Sequence, residues 1–235
     1  MPTPALHHLA ELTRVQDAFL GTIPAVDPRT PVPWCGRWRV RHLVVHLARI
    51  HHWAAAQASG RREVPLGRGP FELVELYGAC AGELRETLVR LGPDAVGSTL
   101  LGRGPVTFWH RRQLHETLVH LWDLRAAAGL RLDVAPDLWA DSVDEVVTVM
   151  QPRQVRMGRM PRLPAAIELV ATDVSGRWRL DCDADPGETP SVEVHGPASA
   201  LSLLLWGRTG PDDAALVVTG DASMLTAALA QRLTP

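Results

Sequence analysis

One predicted helix places an acid and an imidazole among large apolar side chains. Residues 114–123 read LHETLVHLWD, in which Glu116 and His120 are four positions apart. Residues with this spacing lie on one face of a helix, so both side chains can reach a single point beside it. A carboxylate and an imidazole beside so much apolar surface cost free energy unless a partner satisfies them. The pattern therefore indicates a bound ion or a charged partner at this face.

The same helix carries a longer polar stripe, and a second predicted helix carries histidines at the same spacing. The stripe consists of Trp109, Gln113, Glu116, His120 and Asp123, spaced by four, three, four and three positions. In the segment 39–58, His42 and His46 are four apart and precede His51 and His52. If the two helices pack side by side, one of these imidazoles can meet Glu116 and His120.

A set of His, Glu and His ligands suits a divalent metal ion. Nitrogen and oxygen donors of this kind bind zinc, and also nickel, manganese or iron. Three protein ligands leave an open position, which is typical of catalytic zinc sites. The spacing is HExxxH, so the HExxH motif of zinc proteases is absent. The alternative is a solvated helix face, because a glutamate and a histidine four apart often only hydrogen-bond each other.

Composition excludes several classes of function. The 235 residues carry a formal net charge of -2, which gives no electrostatic basis for binding nucleic acid or an anionic membrane. All 24 basic residues are arginine, so Schiff-base chemistry on lysine and a Walker P-loop are excluded. Three widely spaced cysteines favour a reducing compartment. We see neither a signal peptide nor a membrane-spanning apolar run, and we expect a cytoplasmic monomer or homodimer.

The chain is expected to divide into a helical part and a mixed part. Apolar periodicity predicts helices at 3–22, 39–58, 70–91, 107–128 and 136–151. Alternating residues predict an antiparallel hairpin at about 165–182, followed by a third strand, a helix, a strand and a closing helix. Between these parts, 152–164 contains three prolines and four arginines. We therefore predict a helical domain at 1–152 and a small α+β domain at 163–235.

Two segments resemble the mycothiol-dependent maleylpyruvate isomerase family of actinobacteria. Residues 36–54 read GRWRVRHLVVHLARIHHWA and are similar to the family's W-x-V-x-x-L-x-x-H-L segment. Residues 115–129 read HETLVHLWDLRAAAG and are similar to its H-E-x-x-x-H-x-W-D segment. The likeness continues through VEVHGPASALSLLLWGR and VVTGD near the end, so it spans nearly the whole chain.

The resemblance implies an α+β fold, in which a DinB-like four-helix bundle precedes a small C-terminal α/β domain. It implies a divalent metal ion, usually zinc, bound by His46, Glu116 and His120, and it assigns a catalytic role to Arg208. It also implies mycothiol as the thiol cosubstrate, whose thiolate adds to a small electrophilic substrate and is then eliminated or retained. Near the metal, His115 or Asp123 would orient the ligands.

Several interpretations stay open on the sequence alone. The chain is a thiol-dependent isomerase or transferase, a hydrolase of the same fold whose metal activates water, or a non-enzymatic module that binds a metal or a small molecule. Arg208 either clamps a substrate carboxylate or only balances the dipole at the end of its helix. Other arginines that are candidates to meet substrate carboxylates are Arg49, Arg111 and Arg112.

Overall fold

Four helices form the first unit of the chain. In the computed structural model, which describes residues 7–180, 182–183 and 189–234, they are α1 (His8–Thr22), α2 (Val40–Ala58), α3 (Leu73–Leu91) and α4 (Thr107–Ala127). A short 3-10 turn (Ile23–Ala25) follows α1, and β1 (Val96–Thr99) and β2 (Gly102–Pro105) form a hairpin between α3 and α4. Predicted residues 3–6 of the first helix lie outside the described residues. The helical bundle predicted from apolar periodicity is confirmed.

Apolar spacing explains why α2 and α4 pack inside this bundle. Val40, Leu43, Val44 and Leu47 of α2 are fully buried, at the i, i+3, i+4 and i+7 positions of one helix face. On α4, apolar residues are buried on several faces because the helix packs against α1, α2 and α3; these residues include Leu114, Leu118, Val119, Leu121 and Leu124. Polar side chains on α4 are therefore enclosed by apolar neighbours.

Glycines end the two helices that carry the candidate ligands. Gly60 follows α2 with φ of 63°, and Gly129 follows α4 with φ of 69°. These left-handed conformations favour glycine, and they allow the amides of Arg61 and Leu130 to bond carbonyls of the last helical turn. Both ends lie within two residues of the predicted positions.

The second unit combines helices with a mixed sheet. Its helices are α5 (Pro136–Glu145), α6 (Gln151–Arg156), α7 (Ala198–Leu205) and α8 (Ala222–Leu229), with a π-helical turn (Val146–Met150) between the first two. Its strands are β3 (Ile167–Ala171), β4 (Arg177–Arg179), β5 (Val192–Gly196) and β6 (Val217–Gly220), in the order β4-β3-β5-β6. β3 and β4 form the predicted antiparallel hairpin, with Leu169 opposite Trp178, whereas β3 and β5 are parallel. Asp181, near the predicted end of this hairpin, lies outside the described residues.

The boundary between the units lies earlier than the sequence indicates. The chain divides between Leu132 and Asp133, not within 152–164. α5 packs against α7, and a 2.9 Å hydrogen bond joins Ser142 to Ser202, so the fifth helix belongs to the second unit. Helical structure also continues past Pro152, because the π-helical turn leads directly into α6 and this proline lies in the first turn of that segment.

None of the helices described in either unit is both long enough and apolar enough to cross a lipid bilayer.

Candidate metal centre

His46, Glu116 and His120 converge beside α4. Nε2 of His46 lies 3.5 Å from Oε1 of Glu116, and Nε2 of His120 lies 3.4 Å from the same oxygen. The three donor atoms all lie within 4.8 Å of one another. The structure therefore brings together the three residues that the sequence analysis proposed as metal ligands, with two of them from one helical turn of α4 and the third from α2.

The separations between these donor atoms fit a metal ion. Ligand atoms bonded at ~2.1 Å in a tetrahedral arrangement lie ~3.4 Å apart, which matches the distances from Glu116 to both histidines. The donor set, two imidazoles and one carboxylate, is one that zinc and related divalent ions accept. The side chain of His46 is 32% exposed and that of His120 is 6% exposed, so access from solvent is on the α2 side.

Arg112 holds one oxygen of Glu116 away from the histidines. Its Nη2 donates a 2.6 Å hydrogen bond to Oε2 of Glu116, one helical turn further along α4. The other oxygen, Oε1, is the one that faces His46 and His120. Because the two oxygens have different partners, one of them remains directed toward the histidines.

Asp123 holds the far side of His120. Oδ2 of Asp123 lies 2.9 Å from Nδ1 of His120, and Sγ of Cys35 lies 3.6 Å from that same oxygen. The hydrogen bond to His120 is the contact through which Asp123 would orient this candidate ligand. The ring of His115, the other residue proposed for this role, packs edge-on against that of His8 of α1, with centroids 6.5 Å apart.

Electrostatic interactions keep this cluster charged despite its burial. Burial alone raises the pKa of Glu116, but hydrogen bonds from His120 and His46 and the charge of Arg112 hold it well below its usual range. Burial lowers the pKa of His120, but Asp123 and Glu116 outweigh it and raise the pKa to about 9. The carboxylate of Glu116 is therefore ionised and suited to a positive ion, whereas a metal ion that binds Nε2 of His120 must displace the proton that the raised pKa retains there.

The remaining histidines of α2 have other partners. Nδ1 of His42 accepts a 3.0 Å hydrogen bond from the amide of Arg39, at the start of the helix. His51 is fully buried and lies 2.8 Å from Oε1 of Gln113, and His52 lies 2.6 Å from Oε2 of Glu83. Spacing alone could not choose among these imidazoles, and the structure selects His46.

The polar stripe of α4 extends beyond the two ligands. Gln113 pairs with His51, and Nε1 of Trp109 donates a 2.7 Å hydrogen bond to the carbonyl oxygen of Ser98 in β1. The side chains of both residues therefore hydrogen-bond to other parts of the first unit. Of the five residues in the stripe, Trp109 and Gln113 hydrogen-bond to other parts of the unit, whereas Glu116, His120 and Asp123 belong to the candidate metal centre.

Arg208 lies in the second unit, just after α7. Its Nη1 donates a 2.7 Å hydrogen bond to the carbonyl oxygen of Trp206, and its amide bonds the carbonyl of Leu203. Gly207, with φ of 66°, makes the turn that allows this. Arg208 therefore interacts with carbonyl groups at the C-terminal end of α7, as one of its two predicted roles requires.

A cleft of about 1140 Å³ opens beside His46 within the first unit. It is bordered by α2, by the 3-10 turn after α1 and by the start of α3; Trp38 and Arg49 also line it. The ring of Trp38 lies 4.9 Å from that of His46, centroid to centroid. Arg49 is one of the arginines that the sequence offers for binding substrate carboxylates, whereas no sequence pattern indicates the cleft itself.

Family models match both parts of the chain. Residues 9–125 match the model described as "Mycothiol maleylpyruvate isomerase N-terminal domain", and residues 133–227 match the one described as "MDMPI C-terminal domain". The interval between the two matched ranges contains the division between Leu132 and Asp133.

Relatives and solved structures that resemble this chain are consistent with the match to these family models. Two uncharacterized proteins of Mycobacterium tuberculosis, from strains CDC 1551 / Oshkosh and H37Rv, are each 28% identical over 206 residues, or 83% of this chain and 94% of theirs. Crystal structures of a mycothiol-dependent maleylpyruvate isomerase and of its histidine-to-alanine mutant are similar in fold, with TM-scores of 0.65 and 0.67. Each covers 92% of this chain and 93% of the solved chain, at 15% and 13% identity respectively.

Proposed function

We propose, from the premise that the chain belongs to the mycothiol maleylpyruvate isomerase family, that it is a metal-dependent enzyme that uses mycothiol to transform a small electrophilic substrate. The convergence of His46, Glu116 and His120 is the observation that carries the metal dependence. Family membership supports mycothiol as the cosubstrate. The reaction is either a cis-trans isomerisation, in which the thiol is released again, or a transfer in which it is retained.

Zinc is the ion we propose, because two imidazole nitrogens and one carboxylate oxygen suit it and three ligands leave one position open. When bound, such an ion lowers the pKa of a thiol, which is ~8.5 for a free cysteine-type thiol, so that the thiolate predominates at neutral pH. The fit is supported by the donor separations of 3.4 and 3.5 Å around Oε1 of Glu116.

The protein's own contribution is to hold the donors in fixed orientations. Arg112 binds Oε2 of Glu116, while Asp123 binds Nδ1 of His120 and leaves Nε2 directed at the centre. Such outer partners orient ligands and raise their affinity for metal. His46, from α2, presents its ring edge-on to that of His120, with centroids 5.1 Å apart and planes at 86°.

Arg208 is the proposed catalytic arginine in the second unit, by its resemblance to the family's position. A guanidinium binds a carboxylate through two parallel hydrogen bonds, which orients a carboxylate substrate as well as attracting it. Its present hydrogen bond to Trp206 uses Nη1.

The proposal is tested by turnover measurements on zinc-loaded protein, with maleylpyruvate and a panel of small electrophiles, in the presence and absence of mycothiol. We expect turnover that requires mycothiol and that is lost in His120→Ala. The control His42→Ala, four residues before His46 on α2, should retain it. Turnover without any thiol would favour a hydrolase, and metal binding without turnover on any substrate would favour a binding module.

A further inference from the structure

The cleft beside His46 combines an apolar wall with an excess of positive charge. Its apolar lining comes from three separate parts of the first unit and consists mainly of Ile23, Val26, Val45, Ile50, Phe71 and Leu73. At about 1140 Å³ the cleft exceeds the ~300–1,000 Å³ typical of small-molecule pockets. It therefore accommodates a ligand with a substantial apolar body.

Four arginines and one carboxylate border this cavity. The arginines are Arg37, Arg41, Arg49 and Arg68, and the carboxylate is that of Glu72. Among the described residues, none of the four guanidinium groups forms an ion pair with a carboxylate. The positive charge is thus available to a ligand rather than being neutralised within the protein.

On α2, two arginines flank an apolar side chain that lines the cleft. Arg41, Val45 and Arg49 are at positions i, i+4 and i+8, so they share one helix face, and His46 adjoins Val45. Nη2 of Arg49 donates a 3.0 Å hydrogen bond to the carbonyl oxygen of Gly67, which fixes the direction of this guanidinium at the cleft. Positive charge therefore lies next to the candidate metal centre.

We propose that the cleft binds the acceptor substrate, and that this substrate is an organic carboxylate with an extended apolar body. This inference rests on the proposed function, because His46 belongs to both the cleft and the candidate centre. The apolar lining binds the body, and the arginines of α2 bind the carboxylate. A compact diacid fills only part of such a cavity.

Equilibrium binding tests this without any turnover. The probe is 1-naphthoate, measured by titration calorimetry on the full chain, and the matched ligand is 1-naphthylmethylammonium, which has the same ring system and the opposite charge. We expect naphthoate to bind at least ~tenfold more tightly than the ammonium ion, because the unpaired charge in the cleft is positive. Equal affinity for the two probes, or no binding of naphthoate, would overturn the inference.

Matched variants locate the binding site. Arg41→Gln/Arg49→Gln should weaken naphthoate binding by at least ~tenfold, since two charge-assisted contacts are lost. Arg61→Gln/Arg90→Gln removes the same net charge from exposed positions outside the cleft and should leave the affinity unchanged. If both double variants behave alike, naphthoate binds elsewhere and the inference fails; far-ultraviolet circular dichroism checks that both are folded.

The metal-free His120→Ala protein separates this inference from the proposed function. Its affinity for naphthoate should stay within ~threefold of the zinc-loaded protein's, because the arginines and the apolar wall remain. If naphthoate no longer binds once the metal is removed, its carboxylate binds the metal ion rather than the arginines, and the inference is overturned. Absence of mycothiol-dependent turnover, by contrast, would contradict the proposed function and leave the binding result standing.

Discussion

His120 and Asp123 are joined by a 2.9 Å hydrogen bond between Nδ1 of the ring and Oδ2 of the carboxylate. Asp123 is fully buried and follows His120 by three residues on α4, so the contact is enforced by the helix itself. With Nδ1 held in this way, Nε2 is the nitrogen that faces Glu116. One aspartate therefore determines which ring nitrogen of this candidate ligand faces Glu116.

Replacing that aspartate tests its orienting role. Asp123→Asn keeps the size of the side chain but removes its charge, and we expect the affinity for zinc to fall ~10–100-fold. The measurement is competition with a chromogenic chelator. Asp94→Asn, at an exposed position between α3 and β1, is the control and should bind zinc like the parent protein. Equal affinity in the two variants would show that Asp123 only stabilises the fold.

Removing a ligand tests the centre itself. His120→Ala should reduce bound zinc from about one ion per chain to a trace, because only two donors remain. Elemental analysis after dialysis measures this, with His42→Ala as the control on α2. The far-ultraviolet circular dichroism spectrum should change little, since the apolar residues of the bundle carry most of its stability. Full zinc content in His120→Ala would remove this residue from the ligand set.

His51 makes the stability of the protein depend on pH. Burial lowers the pKa of this histidine from 6.5 to about 4, so the folded chain keeps it neutral where the unfolded chain protonates it. The free energy of unfolding therefore decreases as pH falls from about 6.5 toward about 4. At pH 5 the loss due to this one group is ~2 kcal/mol.

The variant His51→Gln isolates this effect, because glutamine can still hydrogen-bond Gln113 but does not titrate. Urea unfolding at about pH 7.5 and about pH 5 gives the free energy of unfolding for both proteins. The decrease between the two pH values should be ~2 kcal/mol smaller in the variant than in the parent. An identical decrease in both proteins would mean that His51 takes up its proton in the folded state.

Arg208→Lys tests the proposed carboxylate contact. Lysine retains the positive charge at the end of α7 but cannot form two parallel hydrogen bonds, so kcat/KM should fall at least ~tenfold. The midpoint of thermal unfolding should change by less than ~2 °C, because the interaction with the helix dipole is kept. Arg232→Lys, at an exposed position, is the control. A normal kcat/KM in Arg208→Lys would leave only the structural role.

Close packing at β1 makes Gly97 sensitive to substitution. A Cβ atom at this position would lie 2.4 Å from the carbonyl oxygen of Ala58, at the end of α2. Gly97→Ala should therefore lower the free energy of unfolding by ~1–3 kcal/mol. Gly21→Ala, on α1 with open space around the new atom, should instead raise it by ~0.5–1 kcal/mol. Urea unfolding of both variants gives the comparison.

The sequence predicts part of the site because helical spacing is local. Glu116 and His120 share a face by virtue of being four apart, and the same spacing pairs Arg112 with Glu116, a contact that the residues alone could have suggested. Spacing does not say which histidine of α2 faces α4, since that depends on how the two helices pack. The contact of Cys35 with Asp123 joins residues 88 positions apart and has no local signal.

The elements predicted most accurately are those whose apolar pattern repeats over many residues. The helices of the bundle follow from apolar periodicity, and the β3–β4 hairpin follows from alternation. The boundary at 152–164 failed because prolines and arginines there indicated a linker, whereas Pro152 is accommodated in the first turn of α6. The packing of α5 against α7 joins elements that are far apart in the chain, so the composition of 152–164 could not indicate it.

Glu116 and His120 lie one turn apart on α4, so the helix sets the spacing of their backbones. His46 comes from α2, so its distance from the other two depends on how α2 packs against α4. Arg41, Val45 and Arg49 lie on α2 as well. A ligand that binds them therefore contacts the helix on whose placement the geometry of the centre depends.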